Sequence, residues 1–408
     1  MNGKKIFLLF LAIIVAGVLL ASSTWRQWND NQKTILQRMR PIAPMATYSQ
    51  GGSINYIDFD PKNPELIAAA GSSRNFVKVW NVSKQDTPQL TLKTQKGHNG
   101  TNFVVGLGFS PVNDWIAIKG FWTLEIWDST TGNKINTLNT ASSNFAISPL
   151  CNNFALDHNH LKLWDVNDPK NITGKILLPP KMGWVSIPLD GLERIDPFPE
   201  MKISMLRHNI PNRYRNASTN EKYRAIDFSH DGRWLAAAGQ MLNDNKGDWR
   251  QKVKIWDMET HQLNRIIERE EPKIQEPKRK GKKVPSSTLP LSNDIRSIKF
   301  SPDNRFFGLA ADNGLTIWSL PEWDIYHEVL DKRISDIAFS PDGTLYAVAD
   351  VNGINLWSVE TLTPVALLSG AGLFSNSVIE FSPDGSMIAG GGMDGVVWLW
   401  DVRKLNEK

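Results

Sequence analysis

Val378-Ile-Glu-Phe-Ser-Pro-Asp-Gly-Ser-Met-Ile-Ala-Gly-Gly-Gly-Met-Asp-Gly-Val-Val-Trp-Leu-Trp-Asp401 reads as three short strands joined by two tight turns. In Ser382-Pro383-Asp384-Gly385, proline presets φ at the second position and glycine suits the fourth, as in a type I turn. Asp394-Gly395 between apolar runs is a hairpin signal, because both residues tolerate φ > 0. Val396–Trp400 is β-branched and aromatic, suited to a pleated, half-buried surface. One such unit cannot bury its own apolar faces, so it needs neighbours of the same kind.

The chain supplies them. The first half of the unit recurs as Phe59-Asp60-Pro61, Phe109-Ser110-Pro111, Ile147-Ser148-Pro149, Phe228-Ser229-His230-Asp231-Gly232, Phe300-Ser301-Pro302-Asp303 and Phe339-Ser340-Pro341-Asp342-Gly343. The second half recurs as Trp80-Asn81, Trp127-Asp128, Trp164-Asp165, Trp256-Asp257, Trp318-Ser319 and Trp357-Ser358. After each of these Trp positions comes one further short strand, such as Lys134–Leu138 or Pro364–Leu368. Four antiparallel strands per unit make one propeller blade.

From about Ala43 to Val402 the chain resembles the WD40-repeat family, through these paired motifs at one period. Trp-Asp stands intact at 127–128, 164–165, 256–257 and 400–401, and the family's Gly-His pair occurs as Gly97-His98. The family's turn Asp, six residues before the Trp, is matched by Asp312 and Asp394, but neither repeat has the Gly-His, and in the repeat that does the position is Phe121. The blades must therefore hold their shape mainly by packing. The resemblance implies a rigid scaffold whose rim and central opening collect protein or peptide partners.

The expected fold is all-β: a seven-bladed WD40-like β-propeller, with eight blades as the alternative, preceded by one transmembrane or signal helix. Two stretches interrupt the repeats, 181–220 and 269–290. Without them, Pro41–Asp401 gives about 43 residues per unit for seven units, within the range for such repeats. The eighth unit would lie at Trp184–Gly191, a poor echo of the first half-motif with no Trp-Asp after it. A third insertion, 240–251, falls between the second and third strands of repeat four.

Residues 1–5 are basic, and Ile6–Ala21 is uncharged and apolar, of a length between a signal-peptide core and a spanning helix. Trp25, Arg26 and Trp28 follow, which suits an anchor retained in the bilayer, while Ala21-Ser22-Ser23 would serve a cleaved signal. The expected organisation is this anchor, a linker over 22–43, the propeller over 44–402 and a tail over 403–408, with the propeller on the exported side. The one cysteine, Cys151, excludes an intrachain disulfide. The net charge of +4 is accounted for by Pro272–Lys283, so there is no broad footprint for nucleic acid.

No phosphate-binding loop, nucleophile elbow or zinc-protease motif is present, and no cofactor is expected. Asp157-His158-Asn159-His160 is the one metal-like cluster, but it has no evident third ligand and sits in a turn. A propeller enzyme, hydrolase or quinoprotein-like, would need carboxylates, His or Arg at equivalent inward positions of several repeats, and none is read there. The binding reading places the partner on the face carrying the second-to-third-strand turns and the between-blade loops, because every irregular stretch falls in those two sets. Its candidate residues are Phe121, Trp122, His158, His160, Trp249 and Arg250, since exposed aromatic and arginine side chains are common interface anchors. The last repeat lacks room for a fourth strand after Asp401, so Pro44–Ser49 is expected to pair with Val396–Trp400 and close the ring. The tether would then enter from the plain face, with the loop-rich face turned away from the membrane.

Overall fold

The computed structural model describes residues 41–71, 75–84, 87–95, 104–140, 144–150, 153–158, 160–165, 173–176, 185–187, 221–242, 249–268, 294–330, 332–370 and 377–406. The anchor over 6–21 lies outside them. Among the described residues no helix is long and apolar enough to cross a membrane.

The described strands form seven antiparallel sheets, one per repeat, and the fold is a seven-bladed propeller. The first strand of each blade touches the first strands of the blades before and after it, in a closed circuit from blade 1 to blade 7 and back. These inner strands are Tyr56–Asp60, Val104–Phe109, Phe145–Ile147, Glu221–Phe228, Ile295–Phe300, Ile334–Phe339 and Val378–Phe381, and they surround a central channel. Residues Val185–Ile187 pair with Thr173–Ile176 as a fifth strand on the outside of blade 3. The eighth-blade reading of that stretch is thereby corrected: a lone edge strand found an open edge to pair with.

Packing between blades explains the residue types. The Phe of each Phe-Ser-Pro motif inserts against alanines in the second strand of the preceding blade. Phe109 clusters with Ala68 and Ala70, Phe300 with Ala236 and Ala238, and Phe381 with Ala347 and Ala349. Small residues at these fully buried positions let neighbouring sheets approach closely. At the first-to-second turn a serine organises the backbone. Ser382 Oγ accepts the Met387 N–H at 2.9 Å and donates to Asp384 at 2.6 Å, and Ser340 and Ser301 repeat the pattern. The expected Gly385 N–H to Ser382 carbonyl bond closes that turn at 2.9 Å. In the other turn of blade 7 only Gly395 takes positive φ. Asp394 instead accepts the Val396 N–H and the Trp398 indole N–H.

The ring closes as the sequence implies. Ala46–Ser49 pairs antiparallel with Val396–Asp401, with Ala46 opposite Leu399 and Ser49 opposite Val396. The segment before it departs from expectation. Ile42 forms a parallel bridge to Leu368, at the end of blade 6's outer strand nearest the loop-rich face. Its N–H donates to Leu367 O and its carbonyl accepts from Ser369 N–H. The chain therefore reaches blade 7 along the outer rim of blade 6, satisfying an edge that would otherwise be open. The residues before Pro41, and with them the face from which the tether enters, lie outside the described residues.

Tyr48 tests the closure. It is 3 % exposed, stacks near Trp80 of blade 1 with ring centroids 5.7 Å apart, and donates to Val82 O. Truncating a buried aromatic costs about 3–5 kcal/mol. Tyr48→Ala should destabilise the whole propeller by that order in urea melts, whereas its half-buried strand neighbour Ala46→Gly should cost about 1 kcal/mol.

Candidate functional site

Two regions gather functional side chains: the loop-rich face and the channel. Strand direction alternates within a blade, so all second-to-third-strand turns lie on one face, together with the between-blade loops. Phe121 and Trp122 occupy such a turn in blade 2, between Trp115–Gly120 and Thr123–Asp128. They are 40 % and 47 % exposed and contact each other edge-on with centroids 4.9 Å apart. The turn is braced from beneath. Lys119 is fully buried, and its ammonium lies within hydrogen-bonding reach of the carbonyls of Gly120, Phe121, Thr123 and Thr140. Thr140 N–H in turn donates to Trp122 O at 2.9 Å. A buried ammonium must find acceptors, and here it finds them in the turn that presents the aromatic pair.

The other candidates are distributed around the same face. His158 and His160 are cross-strand partners at the tip of the blade 3 hairpin, not neighbours on one strand. Trp249 and Arg250 are not in a loop: Trp234–Leu242 and Trp249–Asp257 continue the ladder to Leu242 opposite Trp249 and Met241 opposite Arg250. Each strand has nine residues where the matching strands of blade 5 have six, so this hairpin carries its ladder roughly 10 Å further. Half of the 240–251 insertion, 240–242 and 249–251, is therefore strand. The side chains of these four residues lie outside what is described. Met393 and Val351, 61 % and 51 % exposed, stand at the corresponding turns of blades 7 and 6. As single apolar residues in polar turns they gave no sequence signal.

Toward the axis, four inner strands share an irregularity. A bulge falls four residues before the closing Phe of each, at Val105, Arg224, Arg296 and Ser335. It places Arg224 and Arg296 at the channel mouth. Arg224 faces Asp294 at 3.8 Å, and Arg296 makes a two-pronged contact with Asp312 at 2.7 and 2.8 Å. Arg333 approaches the same Asp312 at 3.2 Å, and Lys332 pairs with Asp350.

Deeper, the residue before each closing Phe or Ile forms one layer: Asp58, Gly108, Ala146, Asp227, Lys299, Ala338 and Glu380. The sequence reading found no charged cluster at inward positions; this layer corrects it. Asp58 Oδ2 accepts the Phe109 N–H of blade 2 at 2.7 Å, and Asp227 Oδ2 accepts the Phe300 N–H of blade 5 at 2.7 Å. Asp336, two residues up its strand, accepts Ile379 N–H of blade 7 at 2.9 Å. Lys299 of blade 5 reaches Glu380 of blade 7 at 3.1 Å, past blade 6, where Ala338 leaves room. Water enters, since the Lys299 and Glu380 side chains are 34 % and 28 % exposed, but protein surrounds each group. Burial, then the charge of Glu380, pushes the Asp58 carboxyl up to about 8. Burial pushes Asp227 and Asp336 up to about 6 against the pull of Lys299. Glu380 holds Lys299 firmly protonated. Among the described residues no three His, Cys, Asp or Glu side chains converge to hold a metal ion.

Residues 363–401 match the sequence profile of the WD domain, G-beta repeat. That segment is the outer strand of blade 6 plus the three inner strands of blade 7, so the sequence repeat is staggered by one strand from the blade. No curated protein matches the chain. Among solved structures, the β-propeller domain of Cps50 (Swd1) from Myceliophteria thermophila superposes with a TM-score of 0.60 at 16 % identity, covering 88 % of this chain and 100 % of that one. The likeness is one of fold. Together the two findings support a WD40-repeat protein, in motif and in architecture.

The channel chemistry is testable without a partner. A carboxyl raised from its unfolded value of about 4 to about 8 binds more protons folded than unfolded, so stability falls as pH rises across that window. Asparagine mimics the neutral acid and keeps a carbonyl for Phe109 N–H. Asp58→Asn should raise the melting temperature at about pH 9 and flatten its decline from about pH 6. Equal destabilisation at both pH values would refute the assignment.

Proposed function

We propose that the chain is a non-catalytic, membrane-tethered propeller scaffold that holds a protein or peptide partner on its loop-rich face. The observation that carries this reading is the Phe121–Trp122 pair, half-exposed on a turn held rigid by buried Lys119. Rigid aromatics bury large area at low conformational cost, which is what interface anchors need. Met393 and Val351 widen the apolar contact on the same face.

The channel layer is the place where an enzyme reading would look. Its groups are engaged in holding blades together: Asp58, Asp227 and Asp336 each accept an N–H of the next blade's inner strand, and Glu380 is paired with Lys299. That favours a structural role for the cluster and binding for the face. The uncharged run Ile6–Ala21, between Lys4-Lys5 and Trp25-Arg26, supports a single-pass anchor with the propeller on the exported side.

Affinity capture from membranes with the full chain tests the proposal. Replacing Phe121 and Trp122 together by alanine should lower recovery of the captured partner about thirtyfold, as for loss of roughly 2 kcal/mol at an anchor, with the melting temperature unchanged. Undiminished capture would place the interface elsewhere.

A further inference from the structure

We infer that the loop-rich face recognises an acidic polypeptide segment, whose carboxylates meet the cations of blades 4–6 at the channel mouth while its apolar side chains rest on the turns farther out. This rests on the reading that the face binds protein, and it specifies the partner's chemistry.

At Arg333 and Lys332 the cation stands outermost and its counter-ion beneath it, while Arg224 and its partner Asp294 are both partly exposed, at 44 % and 27 %. The Arg224 and Arg333 side chains are 44 % and 41 % exposed and Lys332 is 34 % exposed, whereas Asp312 and Asp350, with which Arg333 and Lys332 pair, are 2 % and 0 % exposed. Asp312 serves two arginines, Arg296 and Arg333, leaving a surplus positive charge at that point. The buried carboxylates fix the cations in place, so a ligand carboxylate meets preorganised guanidinium groups able to receive it through paired N–H donors.

Radial order separates this partner from other anions. Arg224 and Arg296 lie on inner strands, while Phe121, Trp122, Val351 and Met393 lie on hairpins farther from the axis. A flat bilayer would present charged headgroups to the apolar tips and to the cations alike. A nucleic-acid backbone offers nothing apolar to those tips. A peptide supplies both. The channel layer below also sets the depth. Asp336 lies one residue further along its strand than the bulge position, and Asp227 and Glu380 lie lower still and outnumber Lys299, so an anion is stopped at the mouth. A basic side chain is repelled by the mouth itself.

Selection of displayed random peptides on the full chain tests this. The expected result is a set rich in Asp or Glu with at least one large apolar residue, bound more weakly as salt is raised. Arg224→Glu with Arg333→Glu should weaken a selected peptide about a hundredfold, from about tenfold per lost charge contact, and a Lys-substituted version of that peptide should recover binding to the variant. Both arginines are substantially exposed, and an unchanged melting temperature would verify folding. Neutral or basic peptides overturn the inference but keep the protein-binding reading. Acidic peptides insensitive to the two reversals, yet lost when Lys278, Arg279, Lys280, Lys282 and Lys283 become Gln, also overturn it. No peptide selected, with co-sedimentation on phosphatidylserine vesicles lost in the double reversal, overturns both and makes the face a membrane surface.

Discussion

Closure of the ring is the constraint on which the rest of this structure depends. Each blade buries its apolar face only against the next, so an open ring would leave one face of blade 1 and one of blade 7 in water. The contact that prevents this joins the two ends of the chain: Ala389, Val397 and Leu399 of blade 7 and Tyr48 of the N-terminal strand pack with Phe59, Ile67, Ala69 and Trp80 of blade 1. Tyr48 is itself part of blade 7, although it precedes blade 1 in sequence. The stagger between repeat and blade thus turns a chain end into a lock. Ile42, bonded to the outer strand of blade 6, extends the lock over two blades.

Much of this was legible because the signals are local. Phe-Ser-Pro-Asp-Gly fixes a turn, and the Trp that follows marks a strand at a set distance. The closure was legible in Pro44–Ser49, which stands where an outer strand should stand, just before blade 1. The channel charges were harder to see. Period-two alternation reports that Asp58, Asp227, Lys299 and Glu380 occupy the face opposite Phe59, Phe109, Phe300 and their equivalents. In an ordinary sheet that face is solvent; in a closed ring it meets the next blade's inner strand around the axis. The signal was one residue before a motif already identified, and only closure gives it meaning. The long hairpin of blade 4 was missed for the opposite reason: polar Asn243–Gly247 suggests a loop, although the ladder continues through Leu242 and Trp249.

Burying four carboxylates and one lysine in such a channel costs solvation, and the structure offsets it in two ways. Backbone N–H groups of inner strands, which need acceptors, take carboxylate oxygens from the preceding blade. Lys299 provides one positive charge, and protonation of Asp58 removes one negative charge. The cluster then links blades 1 with 2, 4 with 5, 5 with 7 and 6 with 7 across positions that apolar packing does not reach. Breaking one member leaves the others uncompensated, so these groups belong to the frame on which the face is mounted.

The weakened motifs follow the same division between frame and face. In the intact Trp-Asp pairs of blades 2 and 4, the Asp caps the turn to the fourth strand: Asp128 accepts the N–H of Thr130 and Thr131, and Asp257 those of Glu259 and Thr260. Asn81 does this for Ser83, and Ser358 for Thr361. What the turn requires is a side-chain oxygen of short reach, not a charge, so Asn and Ser replace Asp at little cost. The departures on the loop-rich face are of another kind. Phe121-Trp122, the long blade 4 hairpin and Met393 place bulky groups or extra chain where a short polar turn would satisfy the backbone. Substitutions that conserve the acceptor leave the blade intact, while those that add exposed apolar surface bring the blade no packing in return. On the proposal that this face binds a partner, such surface serves contact with another molecule, although Val112 and Leu150 in plain-face turns are as exposed as Met393 and Val351.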